Sequence, residues 1–529
     1  MNKVKTLTKK IIAFLFAFIL LVSMLPTNVL AARRTSDSVV DMQYDGDATL
    51  TVIKLDDDQS PIQDVTYDIY LIAKISQSDS NPVELVYTTE PGVVDKAGQP
   101  VIVSASLDPN SINLAGLTPA ATGTSGSDGK IEFTKLKYGI YLVVESAYPS
   151  TVISAANNFI VSIPMSTELA AGSMQWLYDV EAKPKNTLIG EAAIKKGITG
   201  GVVDQGDKIY SASYGDIIDY KITVTLPSTF EETNYTSFII KDTPGDGLLI
   251  DRDTVKVYYG EKELDESEYV LDWNATTGGF TVDLIYSNSN EAGVVSDKLK
   301  NGMEVSITYR ATLLGGTSSG GLGADINTAL KNEVEIDSQY TQPGGAIVTP
   351  EPITPDPDNP EPTVYTYNFT IEKVNGDSGI EDDNKTVYEP LEGAVFVLIN
   401  STGDYMAYDG TNGKWTTTKD IEKAFTVTSD GKGLVTFTGL AAGDYKLMET
   451  VAPTGYSLLK DPIAITIDGT TSGTTGGVLQ NTQMQVINKH SWTLPETGGL
   501  GIYIFTIGGV ILIAAAIILL LKNRKKNNG

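Results

Sequence analysis

The sequence predicts an all-β protein of tandem immunoglobulin-like β-sandwich domains, followed by one apolar helix. Apolar and polar residues alternate in many short runs, such as residues 48–55 (ATLTVIKL), 219–226 (DYKITVTL) and 367–374 (YNFTIEKV). Such alternation gives a strand one buried and one solvated face, which is typical of antiparallel sandwiches. No comparably clear helical period interrupts these runs. The one long apolar stretch suited to a helix lies at the C-terminal end.

The N-terminal segment, residues 1–31, is predicted to be a secretory signal peptide. Lysines at positions 3, 5, 9 and 10 precede an apolar run over residues 11–25, and the small residues Ala31 and Ala32 follow. The apolar run is shorter than the roughly 20 residues that a membrane span requires. We therefore expect cleavage after one of these alanines and a mature protein outside the cytoplasm.

The C-terminal segment, residues 494–529, combines three features in a fixed order. The pentapeptide LPETG (494–498) precedes an apolar stretch over 500–521, and a basic tail follows from Lys522. The stretch is long enough to cross a bilayer, and the basic tail stays inside. This order resembles the cell-wall sorting signal of Gram-positive surface proteins. The resemblance implies cleavage between Thr497 and Gly498 by a sortase and attachment to peptidoglycan.

Composition excludes several functional classes. The net charge of -27 argues against nucleic-acid or anionic-membrane partners. The chain has no cysteine and a single histidine, His490, which excludes Cys-His catalysis and histidine-rich zinc sites. The acidic runs 56–58 and 381–383 lack EF-hand spacing, so solvated turns are favoured over calcium sites. We predict no metal and no cofactor, although the sequence leaves calcium open.

Two boundaries divide the mature chain into three predicted domains. Residues 342–364 (QPGGAIVTPEPITPDPDNPEPTV) are rich in proline and predict an extended, semi-stiff linker. A second boundary follows Asn186, which gives domains over 35–186, 187–341 and 365–490. The first and third domains form a weak internal repeat, since LTVIKLDDD (50–58) parallels FTIEKVNGD (369–377) and GIYLVVESAYP (139–149) parallels GDYKLMETVAP (443–453).

In the third domain three polar side chains are predicted to face the core. Lys373 shares a strand face with Phe369 and Ile371, and Glu449 and Asn488 lie on inward faces of later strands. A buried ammonium must be paired or neutralised. An ordinary buried ion pair with a hydrogen-bonded amide would satisfy this requirement.

These residues resemble the self-crosslinking B-type domains of Gram-positive pilins and collagen adhesins. The segment 445–456 (YKLMETVAPTGY) matches the E-box of that family. The resemblance implies that neutral Lys373 attacks the side-chain carbonyl of Asn488, that protonated Glu449 polarises this carbonyl, and that ammonia leaves. Burial lowers an amine pKa and raises a carboxyl pKa, which would give both groups the forms that the reaction needs.

The second domain resembles the A-type pilin domain, whose catalytic group is an aspartate. The resemblance implies a crosslink between Lys196 and Asn332 with Asp242 as the catalytic acid. The neighbouring Lys195 remains an alternative nucleophile.

The first domain contains the analogous pair Lys54 and Glu145 but is predicted to lack a crosslink. The third domain's last strand reads VIN, whereas the first domain's reads VEA, which places Ala182 in the position of the asparagine. We therefore expect a simple ion pair between Lys54 and Glu145.

The end of the first domain, WLYDVEAKPKN, resembles the pilin motif WxxxVxVYPKN of shaft pilins. Ala182 and Lys183 depart from the valine and tyrosine of that motif. The residues in register are Trp176, Val180, Pro184, Lys185 and Asn186. The resemblance implies that Lys185 attacks the sortase-bound Thr497 of another subunit, although Lys183 is a second candidate acceptor.

Together these features predict the major shaft subunit of a covalently polymerised pilus, which supports adhesion and biofilm growth and is not an enzyme. The implied partners are a pilin-class sortase, identical subunits joined head to tail, minor pilins and peptidoglycan, and a host receptor stays open. A head-to-tail contact that does not close gives a filament. The alternatives are a monomeric wall-anchored adhesin and a minor pilin at the tip or base. A surface hydrolase is disfavoured because no nucleophile motif is recognisable.

Overall fold

A computed structural model describes residues 35–37, 40–79, 85–104, 106–170, 173–286, 293–315, 329–382, 385–468, 484–491 and 500–526. The predicted signal peptide and residues 492–499, which include Thr497 and Gly498, lie outside the described residues. The regular secondary structure of the described chain is mainly β-strand and ends in one long helix. The predicted all-β fold class is confirmed.

The first domain pairs its strands into two main sheets. One has the order β10-β8-β4-β5 with β6 also on β4, and the other has the order β13-β2-β7. Two smaller sheets, β1-β12-β11 and β3-β14-β9, extend them. The strands are β1 Thr35–Asp37, β2 Ala48–Ile53, β3 Leu55–Asp56, β4 Thr66–Gln77, β5 Leu85–Thr89, β6 Ala121–Thr124, β7 Lys130–Leu136, β8 Gly139–Ala147, β9 Val152–Ser154, β10 Phe159–Ile163, β11 Met165–Ala170, β12 Ser173–Leu177, β13 Asp179–Ala182 and β14 Lys185–Leu188.

The second domain is a sandwich of two five-stranded sheets. Their orders are β15-β18-β26-β20-β21 and β22-β23-β19-β27-β28, with a small β24-β25 ribbon. The strands are β15 Ala193–Gly200, β16 Val203–Asp204, β17 Ile209–Ser211, β18 Ile217–Thr225, β19 Tyr235–Pro244, β20 Leu248–Tyr259, β21 Lys262–Glu263, β22 Val270–Trp273, β23 Phe280–Asp283, β24 Ile285–Tyr286, β25 Val294–Val295, β26 Glu304–Leu313, β27 Asn332–Thr341 and β28 Ile347–Val348.

The third domain repeats the arrangement of the first. Its sheets have the orders β37-β30-β40 and β35-β34-β33-β38-β39, with β36 also on β33 and a β31-β32 ribbon outside them. The strands are β29 Thr363–Tyr365, β30 Tyr367–Asn375, β31 Ile380–Asp382, β32 Lys385–Val387, β33 Val395–Ile399, β34 Tyr405–Asp409, β35 Lys414–Thr418, β36 Thr426–Thr428, β37 Leu434–Leu440, β38 Gly443–Val451, β39 Ile463–Ile467 and β40 Met484–Asn488.

Alternation along the opening strands carries a lysine into each core. In β2 the residues Ala48, Leu50 and Val52 are fully buried, and Lys54 continues the same inward row. In β30 the buried row Tyr367, Phe369 and Ile371 leads to Lys373 in the same way. A strand's side chains alternate between its faces, so the apolar row itself determines that these lysines point inward.

The proline-rich segment predicted as a linker runs along the second domain. Its strand β28 pairs with β27, Ile353 forms a bridge with Ile336, and β29 pairs in parallel with β17. The carboxylate of Glu361 accepts a hydrogen bond from the Val334 amide at 2.7 Å. Because prolines lack the amide donor that a central strand needs, the segment occupies sheet edges.

The two joints between domains differ in character. The second and third domains share one continuous apolar cluster, and Tyr214 packs so closely on Gly439 that a Cβ there would lie 2.0 Å from the tyrosine ring. The first domain has its own cluster. Its joint to the second is marked by polar contacts, in which Tyr340 donates to the Ser150 carbonyl at 2.6 Å and Gln342 to the Pro149 carbonyl at 2.9 Å.

The C-terminal helix α1, Leu500–Lys526, follows the predicted sorting pentapeptide. Its segment Ile504–Lys522 has a mean hydropathy of 3.0 and is long enough to cross a membrane. Four short 3-10 helices complete the described secondary structure, and they are Met42–Tyr44, Pro109–Ser111, Glu266–Glu268 and Ile421–Lys423.

Candidate crosslinking sites

The third-domain cluster brings together the three residues that the sequence singled out. The Lys373 Nζ atom lies 2.5 Å from Asn488 Oδ1 and 3.4 Å from Glu449 Oε1. The Asn488 Nδ2 atom donates to both oxygens of Glu449, at 2.9 and 3.1 Å. All three side chains are buried. Lysine and asparagine come from the adjacent parallel strands β30 and β40, and the glutamate comes from the opposite sheet.

The surroundings of Lys373 favour its neutral form. Burial lowers the pKa of this amine to about 8, against the opposing effect of the Glu449 carboxylate. The ring of Phe396 lies 5.8 Å from Nζ and adds apolar surface. A neutral amine has the lone pair that attack on a carbonyl needs, and folding holds it beside the asparagine amide.

The second-domain cluster contains Lys196, Asp242 and Asn332, all buried. Lys196 Nζ forms an ion pair with Asp242 Oδ2. The Tyr309 hydroxyl donates to the same carboxylate oxygen at 2.7 Å, and Asn332 Nδ2 donates to that hydroxyl at 2.7 Å. The structure places Lys195 on the exposed face of β15, because adjacent residues of a strand point to opposite sides.

Burial acts on both members of the second-domain ion pair. It lowers the pKa of Lys196 and raises the pKa of Asp242, while their mutual attraction opposes both changes. Desolvation is the largest cause in each case, so burial shifts both groups towards their neutral forms. Transfer of the proton from the amine to the carboxyl would give a neutral nucleophile beside a carboxylic acid.

The first domain holds the expected ion pair of Lys54 and Glu145, and it also holds an asparagine, Asn186, where the sequence comparison had predicted none. Lys54 Nζ lies 2.9 Å from Glu145 Oε2 and 2.5 Å from Asn186 Oδ1. Asn186 Nδ2 donates to Glu145 Oε1 at 2.5 Å, and Ala156 N–H donates to Asn186 Oδ1 at 2.7 Å. Burial lowers the pKa of Lys54.

Strand register explains why the asparagine is Asn186 and not Ala182. In the third domain Asn488 lies opposite Asn375, two residues beyond the lysine. In the first domain the residue two beyond Lys54 is Asp56, and Asn186 lies opposite it. Ala182 instead lies opposite Val52, two residues before the lysine. Counting from the lysine along the paired strands would have located Asn186, whereas the match of VIN to VEA did not.

The predicted pilin motif surrounds this asparagine. Asn186 is buried and Lys185 is exposed, because the two adjacent residues of β14 point to opposite sides. Lys185 Nζ makes only a long contact, 3.4 Å, to the Asp57 carbonyl among its described hydrogen bonds. Lys183 is part-buried and forms an ion pair with Glu181 at 3.2 Å. Earlier in the motif, Val180 is buried and Trp176 partly buried.

Within the described structure, the acidic runs 56–58 and 381–382 form no cluster of metal ligands. Among the described residues no group of three or more acidic or histidine side chains could hold a metal ion. The Asp56 side chain accepts from the Ser60 amide at 2.7 Å and closes its own turn. Asp383 lies outside the described residues. His490 Nδ1 lies 2.8 Å from Asp377 Oδ2, and its ring lies against the tilted ring of Tyr456.

Three family models match separate parts of the chain. Residues 29–187 match the N-terminal D1 domain of Gram-positive pilin subunits, and residues 376–483 match a prealbumin-like fold domain. Residues 493–528 match the LPXTG cell-wall anchor motif. The chain is a Gram-positive pilin subunit. Its anchor motif and apolar helix place this pilin at the cell surface, anchored to the wall.

Curated relatives agree with this identification. The pilin is 28% identical over 415 residues to fimbrial subunit type 2 of Actinomyces naeslundii, which covers 74% of this chain and 70% of the relative. It is 26% identical over 428 residues to fimbrial subunit type 1 of Actinomyces viscosus, covering 74% of each. Among solved structures, the full-length RrgB pilus protein of Streptococcus pneumoniae aligns with a TM-score of 0.48 at 18% identity, over 86% of this chain and 100% of that one.

Proposed function

We propose that this pilin is the repeating backbone subunit of a covalent surface pilus, joined through Thr497 to Lys185 of the next subunit. The observation that carries the proposal is the geometry of β14, where an exposed lysine directly precedes an asparagine held in a buried cluster. The amine is open to solvent, while the strand that bears it is fixed by its neighbour. Such a lysine is accessible to a large enzyme and is held in a defined position.

The joining reaction balances as two acyl transfers. A sortase thiolate attacks the carbonyl of Thr497, and the peptide that begins at Gly498 leaves with the membrane helix. The neutral amine of Lys185 in another subunit then attacks the thioester, and the sortase thiol is released. Each subunit supplies one donor and one acceptor at different places, so the contact is heterologous and gives an open filament. The proposal also includes minor pilins as partners, attachment of the polymer to peptidoglycan, and a role in adhesion and biofilm growth.

The same proposal includes internal isopeptide bonds that strengthen each subunit. In each domain the lysine amine attacks the asparagine side-chain carbonyl, a carboxylic acid supports the proton transfers, and one ammonia leaves. The three pairs are Lys54 with Asn186, Lys196 with Asn332, and Lys373 with Asn488. The low dielectric of the buried sites favours the neutral reactants, and folding takes the place of substrate binding. The pilin turns over no substrate, since each bond forms once.

Force that enters at Lys185 reaches Asn186 one residue later, at the end of the first domain. A bond from Asn186 to Lys54 would fasten this attachment point to the opening strand of the first domain, beside the main path of the load. The chain then leads through the second and third domains to Asn488, a few residues before Thr497. Both intermolecular attachment points therefore lie close in sequence to an internal bond. The absence of cysteine in this secreted chain gives such bonds a structural role that disulfides fill elsewhere.

The polymerisation proposal is tested by immunoblotting boiled wall extracts. Wild-type cells should show a ladder of multimers, and Lys185→Ala cells should show only wall-anchored monomer. A monomeric wall-anchored adhesin would give a single band in both strains. A ladder that persists in Lys185→Ala cells would show that another amine accepts Thr497.

A further inference from the structure

The acid and the asparagine are arranged differently in the second domain. In the third domain the asparagine Nδ2 donates directly to Glu449, and in the first it donates directly to Glu145. In the second domain Asn332 Nδ2 donates to the Tyr309 hydroxyl, which in turn donates to Asp242. Tyr309 therefore stands between the acid and the amide that must react.

Strand positions explain why a bridge is needed. Asp242 and Asn332 belong to the neighbouring strands β19 and β27, where Asp242 pairs with Val334 and Asn332 with Pro244. The two side chains are thus offset by two residues along the sheet. An aspartate is also one methylene shorter than the glutamates of the other sites. Tyr309 reaches across from β26 in the opposite sheet, which also carries Lys196.

We propose that Tyr309 is a catalytic residue of the second-domain crosslink, and that its hydroxyl relays a proton from Asp242 to the departing nitrogen of Asn332. This inference rests on the proposed crosslinking function. It assigns to the second domain a two-group acid, an aspartate with a tyrosine, in place of the single glutamate of the other domains.

The relay balances every proton. Lys196 passes a proton to Asp242 and attacks the Asn332 carbonyl carbon as a neutral amine, which forms the new carbon–nitrogen bond. Tyr309 gives its hydroxyl proton to Nδ2 and takes the proton of Asp242. The carbon–Nδ2 bond then breaks, and the second proton on the lysine nitrogen passes to the Asp242 carboxylate, which becomes a carboxylic acid again. One ammonia leaves, and Tyr309 is restored.

The surroundings of Tyr309 suit a relay. Burial is the largest cause that raises the pKa of this phenol well above its ordinary value, so the hydroxyl keeps its proton until transfer. Its ring stacks on Tyr220 with centroids 5.3 Å apart, which fixes its direction. Asp242 Oδ1 and Asn332 Oδ1 have no hydrogen-bond partner within the described structure, so the two groups meet only through Tyr309.

The other two sites show that a hydroxyl is not a general requirement. In the third domain Phe396 lies opposite Glu449 across the paired strands, and no phenol stands between acid and amide. In the first domain the Tyr67 hydroxyl donates to Glu145 at 2.8 Å, but Glu145 itself contacts Asn186. The bridging position is specific to the second domain, where the acid is an aspartate.

The test compares crosslinks within one molecule. The full-length chain is isolated from membranes of a sortase-deficient host, and the Lys196–Asn332 and Lys373–Asn488 linkages are quantified by peptide mapping. In Tyr309→Phe we expect the Lys196–Asn332 linkage to form about 10²- to 10⁴-fold more slowly, because a positioned proton donor usually contributes a factor of this size. The Lys373–Asn488 linkage should form as in wild type. Undiminished Lys196–Asn332 linkage in Tyr309→Phe would overturn the relay.

A second variant separates a proton relay from a packing role. Asp242→Glu in the Tyr309→Phe background supplies a longer carboxyl that contacts the asparagine directly, and we expect it to restore the linkage at least in part. Failure to restore it in a chain whose thermal unfolding matches Asn332→Ala would assign Tyr309 a packing role and overturn the relay. Absence of both linkages from the wild-type chain would overturn the proposed crosslinking itself.

Discussion

The second and third domains assemble the same functional groups from different sheets. In the third domain lysine and asparagine lie on adjacent parallel strands of one sheet, and the glutamate reaches in from the other. In the second domain the acid and the asparagine share one sheet, and the lysine faces them from the other. A Lys373–Asn488 bond would therefore fasten two neighbouring strands, whereas a Lys196–Asn332 bond would fasten the two layers of the sandwich.

This difference has a mechanical consequence. A bond between the first and last strands of one sheet carries tension along those strands without loading their hydrogen bonds. A bond between sheets also prevents the layers from sliding apart. The second domain shares its apolar cluster with the third, so the two are expected to respond to load as one body.

The largest expected effect concerns the first domain, which repeats the geometry of the third but adds an exposed lysine. Lys185→Ala should abolish the multimer ladder, because the only exposed amine of the motif is removed. Lys183→Ala is the matched control, since its amine is paired with Glu181. Loss of the ladder in Lys183→Ala alone would show that Lys183 is the acceptor and that exposure of Lys185 does not identify the joining site.

The next prediction tests whether the first and third domains are chemically alike. The mature chain should be lighter than its sequence mass by three ammonia molecules, measured by intact-mass spectrometry. Glu145→Ala should lose only the Lys54–Asn186 bond and Glu449→Ala only the Lys373–Asn488 bond, because each acid serves one cluster. If the unmodified chain were lighter by only two ammonia molecules and contained no Lys54–Asn186 linkage, Lys54 and Glu145 would form only an ion pair.

The sequence predicted much of this arrangement because strand alternation is local. The inward row of β30 identifies Lys373, and the same alternation places Lys196 rather than Lys195 in the core. The identity of Asn186 depended on register between strands that are far apart in sequence. The pairing keeps one register across Pro184, with Ala182 opposite Val52 and Asn186 opposite Asp56, so the comparison of VIN with VEA placed the asparagine four residues too early.

Tyr309 could not be identified from its neighbourhood in the sequence. It is one tyrosine in the alternating strand EVSITY, and nothing there distinguishes it from a core aromatic residue. Its role depends on where β19, β26 and β27 meet. The proline-rich segment posed a similar problem, because its pairing with β27 and β17 depends on free sheet edges and not on its composition.

A smaller effect is expected on stability, and it should be similar in the two repeat domains. The lysine and asparagine are 132 residues apart in the first domain and 115 in the third. By analogy with disulfides, closing loops of this size stabilises a domain by about 5 kcal/mol, and the dependence on length is weak. Denaturant unfolding of Glu145→Ala and Glu449→Ala should therefore show comparable losses. A loss confined to the third domain would show that the first-domain cluster does not react.

The smallest expected effect is a pH dependence that appears when the third-domain bond cannot form. In Asn488→Ala the amine of Lys373 remains free and buried, and burial holds its pKa near 8 against an ordinary value of 10.5. Between these two values the unfolded chain binds more protons than the folded one, so the free energy of unfolding should rise as pH increases from about 8 towards 10.5. The gain should be about 1–3 kcal/mol, followed by urea titration at each pH. Below pH 8 both states hold the proton, and this contribution to the slope should vanish.

Adding Lys373→Met removes the titrating group and should flatten the profile. A free energy that stays flat over this window and falls only above pH 10.5 would mean that Glu449 holds the lysine charged, and that burial does not supply the amine in its neutral form.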